Sequence, residues 1–336
     1  MAKNTPITIG DESVAPGERT TVRLPLADLY TGESIYMSVH VVCGRRPGPV
    51  LFISAAIHGD ELNGVEVIRR LLDRKALNSI RGTLLAVPIV NVHGFLDQSR
   101  YLPDRRDLNR SFPGSRKGSI AARMAHTFVH EIVAKSDYGL DLHTGAINRS
   151  NLPQIRANLD DEATREFARA FGVPVIINAN MRDGSLRQCA ADRGTPVLIY
   201  EAGEALRFDE VSIRAGLRGT INAMRHIGML PQRKSAKPVS PVIASSTSWV
   251  RAPASGIVTR KADLGARVAE GQRLAAVSDP LGDEVVPVTA PCDGIVIGRS
   301  NLPLAHEGDA LFNIAAFKSV ASAENKVEAF TTEHQG

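Results

Sequence analysis

Two apolar, strand-like runs in this chain end on histidines. The first, Val50-Leu51-Phe52-Ile53-Ser54-Ala55-Ala56-Ile57, delivers His58-Gly59-Asp60-Glu61 and passes into a helical pattern carried by Leu62, Val65, Ile68, Leu71 and Leu72. Such a pattern reads as a buried strand handing over to a helix, and α/β folds put their sites at strand ends of this kind. The second run, Tyr138-Gly139-Leu140-Asp141-Leu142-His143-Thr144-Gly145, has the same character. Two imidazoles and a carboxylate, from His58, Glu61 and His143, are the protein ligands of an open zinc site whose last position is left for water. A lone His-x-x-Glu is more often a capping or surface pair. What favours a metal here is the second histidine-ended strand, together with the companions further along the chain.

Such side chains converge only if rigid strands carry them, and the chain supplies a strand-helix alternation. Residues 1–49 read as an entry arm with strands at Thr21–Leu26 and Ile35–Val42 and a turn at Gly44–Pro49. A strand at 50–57 and a helix at about 61–74 follow, then a buried strand at Thr83–Val92 and a polar loop at about 93–118. A helix at about 119–135 leads into the strand at 138–143. Beyond it lie a short strand at Gln154–Ala157, a helix near 160–171, a strand at Val173–Asn178, a helix near 185–192, a strand at Pro196–Glu201 and a closing helix near 209–228. This alternation implies an α/β fold, a mixed sheet flanked by helices. A loop as long as 93–118 in a compact domain is usually functional or disordered.

Pro231 to Ser248 has the Pro/Ser/Lys composition of a linker. The expected organisation is a catalytic domain at 1–230, a linker at 231–248, a smaller all-β domain at 249–317 and a polar, frayed tail at 318–336. Ala252-Pro253-Ala254-Ser255-Gly256-Ile257-Val258 returns as Ala290-Pro291-Cys292-Asp293-Gly294-Ile295-Val296, and Glu270-Gly271-Gln272-Arg273-Leu274 returns as Glu307-Gly308-Asp309-Ala310-Leu311. The offset of 37 to 38 residues predicts a small β unit with pseudo-twofold symmetry.

Composition narrows the function classes. With 43% hydrophobic residues among 336, the chain can bury a large core, and its net charge of +4 is spread without the Lys/Arg block of a nucleic-acid footprint. Scattered arginines suit small anionic ligands better. Cys43, Cys189 and Cys292 are odd in number and lack C-x-x-C spacing, which argues against a disulfide framework. Met1 to Gly10 has no basic-then-apolar leader, and no apolar run is long enough to span a bilayer. The expectation is a cytoplasmic protein with no nucleic-acid or membrane partner, homo-oligomerisation being left open.

With His58-Gly59-Asp60-Glu61, Asp107-Leu108-Asn109-Arg110, Asp141-Leu142-His143 and Tyr200-Glu201-Ala202-Gly203 in this order, residues 35–230 resemble the succinylglutamate desuccinylase/aspartoacylase family, a branch of the zinc carboxypeptidase-like hydrolases. Residues 246–316 resemble the barrel-sandwich unit of biotinyl and lipoyl domains, but the link Ser278-Asp279-Pro280-Leu281-Gly282-Asp283-Glu284 lacks the lysine to which those domains attach their cofactor. The resemblance implies one Zn2+ per chain on His58, Glu61 and His143, Glu201 as general base and acid, and Asn109 with Arg110 as a clamp on the substrate carboxylate. It also implies an arginine that assists the oxyanion, a role for which Arg100, Arg105 and Arg106 compete and Arg100 ranks first. The chemistry agrees. Zinc polarises a carbonyl and brings a bound water near neutrality in pKa, a carboxylate can move that water's proton to the leaving amine, and an arginine fork binds two carboxylate oxygens at once. Blander readings make Glu201 an ion-pair partner, Arg110 a surface charge, and Asp60 and Glu204 solvent or capping residues. Asp141, on the same strand face as His143, either orients that ligand or makes a plain structural hydrogen bond. The implied substrate is a small carboxylate-bearing N-acyl amino acid. A zinc carboxypeptidase acting on short peptides and a non-catalytic binding protein are the alternatives.

Overall fold

The computed structural model describes residues 3–232, 241–259 and 261–335. Strands β1 (Ile7–Ile9) and β2 (Glu12–Val14) form a hairpin, followed by β3 (Arg19–Asp28), β4 (Ser34–Cys43), β5 (Arg46–Ala55), α1 (Asn63–Leu72), β6 (Arg81–Val87), α2 (Val92–Leu96) and α3 (Ile120–Glu131). Next come β7 (Tyr138–Gly145), β8 (Arg149–Ala157), α4 (Glu162–Phe171), β9 (Val175–Asn178), α5 (Leu186–Ala191), β10 (Val197–Glu204) and α6 (Glu210–His226). The C-terminal region contributes β11 (Val242–Ala244), β12 (Ser246–Arg251), β13 (Gly256–Thr259), β14 (Arg267–Val268), β15 (Arg273–Ser278), β16 (Val285–Thr289), β17 (Gly294–Ser300), β18 (Leu304–Ala305), β19 (Ala310–Ala316) and α7 (Val320–Gln335).

A mixed sheet runs β3-β4-β6-β5-β7-β10-β8 through the larger part of the chain, with β7 parallel to both β5 and β10. Alternating side chains give that sheet two faces. On β5, Leu51 and Ile53 join one buried cluster with Val67, Ile68 and Leu71 of α1 and with Ile213 and Leu217 of α6, while Phe52 points the other way and meets Phe128 of α3 edge-on at 5.8 Å. Burying apolar surface on both faces, at about 25 cal/mol per Å², holds the strands rigid. As a consequence β5, β7 and β10 end together on one edge, with Glu201 directly opposite His143.

The structure corrects the sequence reading in four places. The strand expected at Thr83–Val92 stops at Val87, because Pro88 has no N–H for the ladder and Asn91 caps α2 by accepting from the Gly94 N–H. Of the linker expected at 231–248, residues 233–240 lie outside the described residues, while 242–244 form β11, a parallel partner of β9, and Ser246 opens β12. The β region expected as a smaller domain at 249–317 is continuous with the large mixed sheet, since β17 pairs antiparallel with β8 at Gly298–Asn151, Arg299–Ser150 and Ser300–Arg149. Its second layer, β16-β15-β13-β18, packs on a small-residue core of Val258, Leu274, Ala275, Val277, Val296 and Ile314. The tail expected to fray at 318–336 is instead α7, docked through Ala323, Val327 and Phe330. Those residues fall on one helical face, an apolar stripe that the polar average of the segment concealed.

Candidate active site

His58, Glu61 and His143 meet where β5 and β7 end, each buried, with ligand-type atoms all within 4.8 Å of one another. Nδ1 of His58 lies 2.7 Å from Glu61 Oε1, and Nδ1 of His143 lies 2.8 Å from Oε2. Both imidazoles therefore turn the same nitrogen inward. Their outer nitrogens face carboxylates, His143 Nε2 standing 2.6 Å from Asp141 Oδ2 and His58 Nε2 standing 3.3 Å from Asp107 Oδ1. Asp141 is itself fixed by the Ser54 hydroxyl, which donates to it over 2.8 Å. The backbone between His58 and Glu61 leaves no room for variation: a Cβ on Gly59 would sit 1.9 Å from the Gly94 carbonyl carbon, so the loop carrying α2 rests directly on the turn.

Burial opposes charge on Glu61, yet His58 and His143 outweigh it and hold its carboxyl well below the usual range. Burial likewise opposes protonating His58 and His143, and Glu61 for the one and Asp141 for the other overcome it and raise both imidazoles. A buried pocket that draws protons onto two histidines is one that stabilises positive charge at its centre. A divalent cation suits that field, and the donor set of two imidazoles and a carboxylate, each imidazole backed by an acid, is that of a zinc site.

A cavity of about 690 Å³ opens from this cluster. On its wall Glu201 accepts a hydrogen bond of 2.9 Å from the Asn151 side-chain amide, and Arg156 Nε lies a loose 3.9 Å from its other oxygen, so the carboxylate still faces the cavity. Arg100 reaches Asp107 at 3.0 Å and Glu61 at 3.4 Å and lines the cavity, whereas Arg105 and Arg106 are exposed and do not. Asn109 and Arg110 also line it. Asn109 Oδ1 accepts from the Leu186 N–H at the start of α5, which leaves its amide N–H groups for a ligand.

Asp60 and Glu204, read from sequence as solvent or capping residues, are both buried. Glu204 is a junction, accepting from the Asn148 N–H at 2.9 Å and from the Asn301 side chain at 2.8 Å. The sequence reading gave no part to Asn151, Arg187, Trp249 or Arg251. For Asp107 a signal existed, an acid at the head of a quoted motif; for the others, brought in from distant strands, spacing holds none. Arg187 is 7% exposed, its Nε and Nη1 find no partner among the described residues, and burial, Arg156 and Arg182 pull its pKa down to about 10.

Residues 47–227, more than half of the chain, match the model of the succinylglutamate desuccinylase/aspartoacylase catalytic domain. The chain is 28% identical over 308 residues to an N-alpha-acetyl-L-2,4-diaminobutyric acid deacetylase of Halomonas elongata, covering 88% of this chain and 90% of that protein. Among solved structures, the product-bound ectoine utilization protein EutE (DoeB) of Ruegeria pomeroyi is 25% identical with a TM-score of 0.80, covering 89% of this chain and 95% of that one. A succinylglutamate desuccinylase/aspartoacylase of Rhodobacter sphaeroides shares the fold at 24% identity and a TM-score of 0.79, with the same coverage.

Proposed function

The chain belongs to the succinylglutamate desuccinylase/aspartoacylase family, and from that premise we propose that it is a zinc-dependent hydrolase that cleaves the amide bond of a small N-acylated amino acid. The observation that carries this reading is the buried cluster of His58, Glu61 and His143 with Glu201 directly across the strand pair. One zinc ion on those three residues would polarise the amide carbonyl and lower the pKa of a water.

The chain's own groups do the rest. Glu201, aimed by Asn151, takes the proton from the attacking water and hands it to the departing amine nitrogen. Arg100, steadied by Asp107, sets its guanidinium beside the oxygen on which negative charge develops. Asn109 and Arg110 hold the substrate carboxylate, the arginine with two parallel N–H groups. Asp107 and Asp141 keep the ligand imidazoles turned inward. Thr247, Trp249 and Arg251 of β12 line the cavity, which supports reading the C-terminal region as a cap that favours small molecules over long peptides. Three free cysteines are consistent with the reducing cytoplasm.

Metal analysis with turnover of N-acyl amino acids and short peptides tests the proposal. The His143→Ala protein should lose both zinc and activity. Glu201→Gln should keep its zinc and lose about 10²–10⁴-fold in rate. Full zinc and normal rates in His143→Ala, or faster cleavage of peptides than of N-acyl amino acids, would sink it.

A further inference from the structure

Glu61 and Glu201 are delivered by strands that do not touch. β5, which leads to His58 and Glu61, is separated from β10, which carries Glu201, by β7. The register between β10 and β7 breaks directly after Glu201: that residue pairs with His143, and the next paired position is Glu204 with Gly145. On its other side β10 slips in the same place, between Glu201 opposite Gln154 and Gly203 opposite Asn151. A bulge of this kind re-aims the side chain beside it, so the backbone at Ala202 and Gly203 decides where the Glu201 carboxylate points.

One buried side chain reaches that backbone from the Glu61 side. Asn63 opens α1 two residues after Glu61 and is 1% exposed. Its amide nitrogen donates to the Ala202 carbonyl over 3.2 Å, and its Oδ1 accepts from the Asp209 N–H over 3.0 Å. It reaches so far because α1 starts flat against two strand ends: a Cβ on Gly64 would lie 2.7 Å from the Cβ of Leu142 on β7 and 2.8 Å from that of Ala55 on β5. Gly203 leaves room for the contact, since its φ is +73° and a Cβ there would lie 2.5 Å from Asn63 Nδ2. A second link runs alongside, from the Leu206 N–H to the Asp60 carbonyl at 2.8 Å. Asp209 in turn accepts from the Ser212 N–H at the start of α6, and the Ser212 carbonyl accepts from the Tyr200 hydroxyl at 2.7 Å. Tyr200 and Ala202, the two neighbours of Glu201, are thus each tied to a buried partner. Only an amide offers a donor and an acceptor on so short a stem.

We propose that Asn63 is a positioning residue for Glu201: it ties the bulge in β10 to the turn that carries Glu61, and so fixes the distance between the general base and the His58, Glu61 and His143 cluster. The inference rests on the acylase reading, which supplies the role of Glu201, and adds to it a residue that does not line the cavity.

The test is a double-mutant cycle in the zinc-loaded full chain. Asn63→Asp keeps the acceptor for Asp209 and sets an oxygen against the Ala202 carbonyl. It should retain zinc and hold KM for N-acyl amino acids within about two-fold while kcat falls on the order of 10²-fold, the cost of a displacement of roughly 1 Å. In the Glu201→Gln background the same change should cost less than about two-fold, since effects that pass through one group do not add. Crystal structures read the same point without turnover: in Asn63→Asp the Glu201 carboxylate should move away from Asn151 while His58, Glu61 and His143 keep their places. Asn63→Ala, which removes both bonds and adds no charge, replaces the aspartate variant if that protein does not fold. An equal loss of rate in both backgrounds, a loss confined to zinc content and thermal stability, or an unmoved Glu201 would overturn the proposal. A parent chain that hydrolyses neither N-acyl amino acids nor peptides would sink the acylase reading alone, and the position of Glu201 in the crystals would still decide on Asn63.

Discussion

The C-terminal region contains the same structure twice. Strands β12 to β15 and β16 to β19 follow one another in the same order at an offset near 38 residues. Each half exchanges its first strand, β12 pairing with β19 and β16 with β15. Even Lys261 and Arg299, at matching positions, reach across to the other half's backbone, Lys261 to the Ser300 carbonyl at 3.2 Å and Arg299 to the Ala262 carbonyl at the same distance. The halves differ in what they touch. β17 continues the large sheet through β8, whereas β13 pairs with β15 and β18 in the second layer. Gly298 and Asn301 stand where the first half has Arg260 and Asp263, and Trp249 stands where the second half has Pro287. The repeated residues build the antiparallel β region, and the residues that break the repeat join it to the site.

Making the halves alike should therefore cost function before it costs the C-terminal β region itself. Gly298→Arg would have the largest effect, because even a Cβ there would lie 3.1 Å from Asn151 Oδ1 and 3.3 Å from Asn313 Cβ. Displacing Asn151 moves Glu201, and a shift of about 1 Å costs on the order of 10²-fold in rate; steady-state kinetics should show that loss with zinc retained. Asn151→Ala leaves the strands in place and removes only the hydrogen bond to Glu201. A bond to a charged group is worth about 1.5–3 kcal/mol, so kcat should fall about 10- to 150-fold, and an unchanged kcat would separate Asn151 from the role proposed for Glu201.

Asn301→Ala acts on the seam between β8 and β17 alone, by leaving the buried Glu204 short of a donor. It should lower stability by about 1–3 kcal/mol, read as an earlier thermal midpoint, with little change in KM. The smallest effect lies away from the seam, where Arg70, paired with Glu66 on its own helix, ties α1 to Glu210 of α6. Hydrogen bonds from Arg69 hold the Glu66 carboxyl at about 2, and hydrogen bonds from Arg70 hold Glu210 there as well. Folded values below the unfolded ones mean that this stabilisation is complete above about pH 5 and disappears as the pH falls toward 2. These are surface pairs, worth about 0–1 kcal/mol. Glu210→Gln should shift the urea midpoint slightly at pH 7, with the gap to the parent chain closing near pH 2.

Legibility in the sequence followed the same division. His58, Glu61 and His143 stood out because each follows a short apolar strand, and parallel strands of one sheet end together; the structure does bring the three into contact. The duplicated motifs fall on two sets of strands that follow in the same order, β12 to β15 and β16 to β19. Arg100 could not be separated from Arg105 and Arg106 by spacing, since only the backbone path of the loop turns the first inward and leaves the other two exposed. Asn151 and Trp249 were invisible for a stronger reason. They matter through a strand pairing between residues some 150 positions apart, Asn151 with Gly298, and no local period records it. The apolar face of α7 was present as Ala323, Val327 and Phe330, but too sparse to outweigh a polar composition.

The pairing of β17 with β8 also bears on how the protein would behave if shortened. A chain stopped near Pro231 keeps every residue of the His58, Glu61 and His143 cluster. It would also bare the flank of β8 at 149–151 and the flank of β9 that β11 covers. The apolar patch of Leu152, Val175 and Ile177, now covered by Ile295, Ile297 and Ala315, would be uncovered with them. Unpaired strand edges beside exposed apolar side chains are templates for neighbouring molecules. The shortened protein should come out of solution as aggregate before its substrate range can be measured, so the C-terminal region acts as an edge guard that keeps this sheet from growing into a second molecule.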